Sequence, residues 1–225
     1  GNPYTAHNTV ALLSFMLSLI GAYLLVRHLT GRRSAATVSA VLFAFCPFIF
    51  ARTPHIQLLM TAGLPFSMLA FHRLVERPKI GRGLILGLVL AATGLACGYY
   101  GLFVGLMVGV AIIFFATTNR LWTNASYWTA IGVAVVTGGV VTGIAFVPYL
   151  EVAGTHGAIA RTLDEARVYS ADWQSYLASP ARSHRWILDR IEVWNEVLFP
   201  GFLTLGLAAV GLTALLRPTG AATTC

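Results

Sequence analysis

Residues 127–150 read YWTAIGVAVVTGGVVTGIAFVPYL, a run of 24 residues with no Asp, Glu, Lys, Arg or His. A helix rises 1.5 Å per residue, so about 20 apolar residues cross the roughly 30 Å hydrocarbon core of a bilayer. This run is long enough to do so. Working outward, six further runs have the same character, at about residues 9–26, 34–50, 55–71, 83–97, from the Gly98–Gly101 turn to 116, and 197–216. The pattern predicts an all-α, polytopic transmembrane helix bundle of about seven spans. Its expected parts are a bundle of about six helices over 1–150, a helical extracytoplasmic loop over 151–196, a last transmembrane helix over 197–217 and a cytoplasmic tail over 218–225.

Composition agrees with this. The chain is 57% hydrophobic and 10% charged, whereas soluble domains carry roughly 25% charged residues. A net charge of +7 could signal nucleic acid, but the basic residues sit in short loops beside apolar runs. The positive-inside effect explains that placement without a nucleic-acid partner. Loops after the first, third, fifth and seventh runs hold Arg27, Arg32, Arg33, Arg73, Arg77, Lys79, Arg82, Arg120 and Arg217 against Glu76 alone. The opposite short loops hold only Arg52, and the long stretch 151–196 mixes both signs. Residue 1 is therefore expected outside and Arg217 in the cytoplasm, with the bilayer itself as the chain's first partner. The chain starts at Gly1, and no n-region, h-region and cleavage site precede the first run, so a signal peptide is not expected within it. An outside N-terminus then calls for a translocating helix upstream, and the sequence is expected to be a piece of a longer protein.

No acid or base lies near the middle of any run, which counts against an ion-coupled carrier. Gly101, Gly105 and Gly109, and likewise Gly94 and Gly98, form small-residue faces suited to close helix packing. Pro47 and Pro65 are expected to kink their spans. Cys46, Cys97 and Cys225 lack metal-ligand spacing, and no P-loop, GxGxxG, HExxH or GxSxG motif occurs.

The remaining chemistry is a set of polar groups expected at the outer face. Arg52, His55 and Gln57 lie between the second and third runs, and Arg52 with His55 suits phosphate or sugar oxygens. Tyr99 and Tyr100 suit either an interfacial belt or stacking on a sugar or isoprenoid. In the long stretch, residues 158–168 have helical spacing. Ser170 is expected to cap a second helix holding Asp172, Trp173 and Tyr176 and ending at Pro180. Residues 186–199 read as an amphipathic helix lying in the membrane interface. Arg161 and Arg167 are candidates to hold the phosphates of a lipid-linked substrate, and Asp172 is counted with them as substrate-binding. His28 and His72 read as surface residues. His156 and His184 lack a paired ligand, so no metal site is expected. Asn124-Ala125-Ser126 matches a glycosylation acceptor but falls on the cytoplasmic side.

Six stretches carry a family likeness: 24–36 (LLVRHLTGRRSAA), 43–59 (FAFCPFIFARTPHIQLL), 64–78 (LPFSMLAFHRLVERP), 96–106 (ACGYYGLFVGL), 168–183 (VYSADWQSYLASPARS) and 198–212 (LFPGFLTLGLAAVGL). Together they resemble bacterial polytopic membrane proteins of the GT-C glycosyltransferase type, near the YfhO-like group. The resemblance implies a multi-pass enzyme of the bacterial cytoplasmic (inner) membrane. It would take a sugar from a polyprenyl-phosphate donor at the outer face and pass it to a lipid, glycan or protein acceptor. It also implies a catalytic acid in the first outer loop, upstream of Gly1, so no catalytic residue is assigned here. No cofactor is assigned, and a divalent metal is left open. Rival readings are a transporter or flippase of lipid-linked saccharides, and a non-catalytic membrane scaffold.

Overall fold

The computed structural model describes residues 2–156, 162–168, 170–191 and 196–216. Among them the only regular elements are helices and turns. They fall into two compact units, Gly1–Ala44 with Arg52–Thr162, and Phe45–Ala51 with Leu163–Cys225.

In the first unit, α1 (Pro3–Thr30) starts where Asn2 accepts a hydrogen bond from the Tyr4 amide and Pro3 supplies a pre-set φ. It ends at Gly31, whose φ of 68° lets its N–H reach the Arg27 carbonyl. The α2 helix (Arg33–Ala44) packs on α1 and buries Ala36, Ala40 and Ala44. After α3 (Pro47–Ala51), which belongs to the second unit, come α4 (Ile56–Leu59), α5 (Gly63–Glu76), α6 (Ile80–Ala96), α7 (Gly98–Thr118) and α8 (Ala125–His156).

Among the described residues five stretches are long and apolar enough to cross a membrane: Pro3–Thr30, Arg33–Ala51, Ile56–Glu76, Gly98–Thr118 and Ala125–Val152. Ile80–Ala96 and, as far as the described residues reach, Phe202–Ala214 are apolar but shorter. The protein is a multi-pass membrane helix bundle. Its large side chains are turned outward, among them Leu12, Met16, Leu102, Leu106, Ile113 and Val135, while α1 buries Ser14, Ser18, Gly21 and Ala22. That distribution suits a lipid solvent, in which small residues let helices meet closely and large ones face the acyl chains.

Contacts fix which helix ends meet. His28 Nε2 lies 3.0 Å from Glu76 Oε1. The Phe115 ring packs on Phe71 and His72, with centroids 5.5 and 5.2 Å away. Arg82 donates to the Arg73 carbonyl, and the Tyr127 hydroxyl donates to the Ile112 carbonyl at 3.0 Å. The C-terminal ends of α1, α5 and α7 thus share one end of the unit with the starts of α6 and α8. Arg27, Arg73, Arg77, Lys79 and Arg82 gather there. A core of Phe71, Leu74, Leu86, Val108, Tyr127 and Ile131 closes that half. His72 is half-buried there rather than a surface residue. Asn124 is the cap of α8, its Oδ1 accepting from the Tyr127 amide at 3.0 Å.

Several local expectations are corrected. Pro47 does not kink a continuous helix; the chain leaves helix after Ala44 and re-enters at Pro47. Pro65 sits in the first turn of α5, where a proline fits, and the break comes before it at Met60–Ala62. The Ser18 and Thr61 hydroxyls, 3.0 Å apart and buried, satisfy each other beside that break. Gly98–Gly101 is not a turn but the first turn of α7, and the reversal is made by extended Cys97 alone (φ −155°, ψ 114°). An added Cβ at Gly105 or Gly109 meets nothing within 4 Å. Gly101 does pack closely, a Cβ there standing 2.5 Å from Gly94 Cα, and a further close approach is made by Gly83 and Gly87 of α6 against the α8 backbone at Ala130 and Ala134.

The second unit holds α3, α9 (Leu163–Val168), α10 (Arg185–Leu188) and α11 (Phe202–Leu216). Ser170 does not cap a second helix: its hydroxyl donates back to the Ala166 carbonyl at 2.7 Å. Asp172 organises a single 3-10 turn, Gln174–Tyr176, by accepting from the Ser175 amide. The helix expected over 186–199 is not continuous. Residues 192–195, with Trp194, lie outside the described residues, and 196–199 are not helical. There the Leu198 and Phe199 amides donate to the Ser175 and Ala178 carbonyls at 2.9 and 3.2 Å. Pro200 also disfavours helix at the residue before it.

Candidate functional site

At the other end of the first unit, α4, the end of α6, the start of α7 and the end of α8 surround an open cavity of about 360 Å³. Each wall has a local cause. The His55 amide donates to the Arg52 carbonyl at 2.8 Å, closing a turn around Pro54, and the Leu58 amide donates to the His55 carbonyl at 2.8 Å. This short α4 presents Gln57 to the cavity. The buried Tyr100 hydroxyl donates to the Leu58 carbonyl at 2.8 Å, pinning α4 to α7. The Cys97 reversal swings Tyr99 onto the same cavity. From α8 come Phe146 and Tyr149, whose rings lie 5.5 Å apart around Pro148.

The lining therefore combines one amide with three aromatic rings. An amide offers two donors and one acceptor. Aromatic faces with a polar handle suit a partly apolar, partly hydroxylated ligand, and the volume lies within the ~300–1,000 Å³ common for small-molecule sites. Among the described residues no carboxylate lines it. Glu76, the only acid before Glu151, is at the opposite end with its carboxylate on His28. The arrangement can bind and orient a ligand.

Of the residues named from sequence, Gln57 and Tyr99 are brought together. Arg52 is half-buried and His55 exposed at the head of α4, and Tyr100 is turned inward. Arg167 and Asp172 belong to the second unit. Arg167 donates to Asp164 at 3.2 Å on exposed α9, and Asp172 Oδ1 takes both the Ser175 amide and its hydroxyl, at 2.9 and 3.0 Å. Arg161, Arg217 and Cys225 lie outside the described residues, as does the side chain of His156. Among the described residues no group of three or more His, Cys, Asp or Glu is placed to hold a metal ion.

Phe146 and Tyr149 escaped the sequence reading because they sit in an apolar run where aromatic residues pass for lipid contacts. Their three-residue spacing next to Pro148, at the end of the run, was the available signal. In the second unit His184 is also more than an isolated ring. Its Nδ1 lies 2.7 Å from buried Ser179 Oγ, and its face meets Phe199 and Phe202 edge-on at 5.1 Å each.

A family model described as dolichyl-phosphate-mannose-protein mannosyltransferase matches residues 1–145. No curated protein and no solved structure matches the chain.

Proposed function

The chain belongs to the dolichyl-phosphate-mannose-protein mannosyltransferase family, and on that premise we propose that it transfers a sugar from a polyprenyl-phosphate donor to a lipid, glycan or protein acceptor, with the cavity at Gln57 and Tyr99 holding a sugar. The nearer kinship with the YfhO-like group rests on the six stretches quoted above. Gathering of cations at one end supports a cytoplasmic assignment for that end by the positive-inside effect. The cavity, residue 1 and the stretch 151–196 then face outward, and Arg217 faces the cytoplasm. Seven crossings are part of this reading. The α6 helix runs from the Arg73 contact to the cavity, so its 17 residues, about 25 Å, cover the same depth as its longer neighbours; α11 is the seventh.

In the transfer, the bond from the sugar C1 to the phosphate oxygen breaks, and its electron pair leaves with polyprenyl phosphate. The acceptor oxygen forms the new bond to C1 and gives its proton to a base. Arg52 and His55, at the head of α4, are the groups proposed to steady the departing phosphate. Gln57 and Tyr99 orient the sugar, and Tyr100 holds α4 in place for them. Asp172 can contact substrate only through Oδ2, since Oδ1 is taken.

The observation that carries this reading is the meeting of Gln57, Tyr99 and Tyr149 on one cavity at the less cationic end. It is tested with membrane vesicles of known sidedness and a radiolabelled polyprenyl-phosphate sugar. Product should form when the outer face is accessible. Gln57→Ala and Tyr99→Ala should each lower transfer about tenfold, with protein level unchanged. Unaltered transfer in both variants removes the cavity from the reaction. Label that changes leaflet without entering a new product would instead favour a flippase.

A further inference from the structure

A second groove of about 400 Å³ opens between α1, α5 and α6 near the cationic end, lined by Leu24, Phe66, Ile85 and Val89 with Arg73 and Arg82. Its two parts differ in chemistry: the walls are apolar and one lip is cationic. Arg82 donates to the backbone carbonyl of Arg73, which holds the two residues together at that lip. Arg82 keeps further N–H donors from its fork of five. Among the described residues no carboxylate pairs with either guanidinium. Glu76, the only acid of this part of the chain, is engaged by His28 at 3.0 Å.

The groove also has a direction. On α6, Val89 lies seven residues beyond Arg82, and on α5, Phe66 lies seven residues before Arg73. At 1.5 Å per residue the apolar walls run about 10 Å from the cations toward the middle of the bundle. Both helices belong to the membrane bundle, and Ile85 on the rim is 57% exposed, so the mouth opens on the acyl chains.

We propose that this groove binds an anionic phospholipid of the leaflet at the cationic end. Its phosphate lies on Arg73 and Arg82, and one acyl chain runs along Leu24, Phe66, Ile85 and Val89. Basic pockets between membrane helices take such headgroups because cations at the interface attract the anionic leaflet. A free phosphate would use the lip and leave the walls empty. A zwitterionic lipid would fill the walls without net charge to offset two guanidinium groups. The site is independent of sugar transfer.

The test is native mass spectrometry of the purified full chain in detergent, equilibrated with equal amounts of phosphatidylglycerol and phosphatidylcholine bearing the same acyl chains. The parent should retain phosphatidylglycerol preferentially. Arg73→Ala should lower that preference about fivefold while sparing the backbone carbonyl that Arg82 contacts, and Arg73→Ala with Arg82→Ala should abolish it. Arg120→Ala, outside the groove, should leave it unchanged, and Leu24→Trp should reduce retention of both lipids. Equal retention of the two lipids by the parent overturns the proposal. So does an undiminished preference in Arg73→Ala, or displacement of phosphatidylglycerol by an equal concentration of inorganic phosphate.

Discussion

Replacing Gly87 by alanine probes the contact on which the first unit is built. A Cβ there would stand 2.6 Å from the Ala134 carbonyl oxygen, 2.8 Å from Thr137 Cβ and 3.1 Å from the Gly138 nitrogen. Ordinary carbon contacts begin near ~3.5 Å, so α6 and α8 must part by roughly 0.9 Å. Two of the three obstacles are backbone, and no rotamer change relieves them. Overpacking of this kind costs about 1–3 kcal/mol. Alanine returns up to about 1 kcal/mol of helix propensity over glycine, so the net change runs from near zero to about 2 kcal/mol of destabilisation. Gly109→Ala isolates the propensity part, because a Cβ at Gly109 meets nothing within 4 Å. The difference between the two variants, about 1–3 kcal/mol, is the packing contribution. Reversible unfolding of the full chain in mixed micelles titrated with dodecyl sulfate, followed by far-ultraviolet circular dichroism, measures both. Equal stability of Gly87→Ala and Gly109→Ala would refute the claim that α6 and α8 meet backbone to backbone.

Three further predictions rest on local hydrogen bonding. Tyr100→Phe removes the bond to the Leu58 carbonyl and should cost about 1 kcal/mol in the same titration; it should also lower sugar transfer by loosening α4 beneath Gln57. A double-mutant cycle of Ser18→Ala and Thr61→Ala should return a coupling of roughly 0.6–1.7 kcal/mol, the range found between membrane helices; zero coupling would mean the two hydroxyls do not serve each other. Asp172→Ala should destabilise the second unit by about 1 kcal/mol, whereas Asp172→Asn keeps a capping oxygen. Transfer that survives in Asp172→Asn assigns the carboxylate to the turn, and transfer lost there assigns it to substrate.

The apolar runs were legible because a bilayer demands both length and uniformity, and a run such as 127–150 has few other uses. The breaks were not legible, because tertiary partners decide them. Met60–Ala62 leaves helix where the Thr61 hydroxyl finds Ser18, a residue 43 positions away. Cys97 reverses the chain beside Gly94 and Gly101, where a Cβ at Gly101 would sit 2.5 Å from Gly94 Cα. Spacing alone could not separate working glycines from idle ones. The triplet Gly101, Gly105 and Gly109 has the stronger pattern, yet Gly83 and Gly87 carry the closest approach to α8. Gln57 and Tyr99 were legible as polar groups at one end of the bundle. Phe146 and Tyr149 were not, since an aromatic residue facing a cavity and one facing lipid look alike in an apolar run. The 186–199 pattern failed for a different reason: the amides of Leu198 and Phe199 are claimed by the carbonyls of Ser175 and Ala178, so tertiary hydrogen bonds overrode a helical period there.

The first unit is closed at one end and open at the other, and this bears on the choice between transferase and flippase. Toward the cationic end, Phe71, Leu74, Leu86, Tyr127 and Ile131 fill the space between α5, α6, α7 and α8, with Phe115 and Trp128 packed on them. Toward the opposite end α6, α7 and α8 separate, with α4 beside them, around Gln57, Tyr99 and Tyr149. The Arg73–Arg82 groove does not bypass this core, since it opens on the flank between α1, α5 and α6. A flippase must present its site to both leaflets in turn, which requires bundles that rock about a midplane site. Here that motion would have to unpack fully buried Phe71, Leu74 and Tyr127, and each large core side chain is worth about 2–5 kcal/mol. A site at one end, above a core of that kind, suits chemistry on a substrate already delivered to that face.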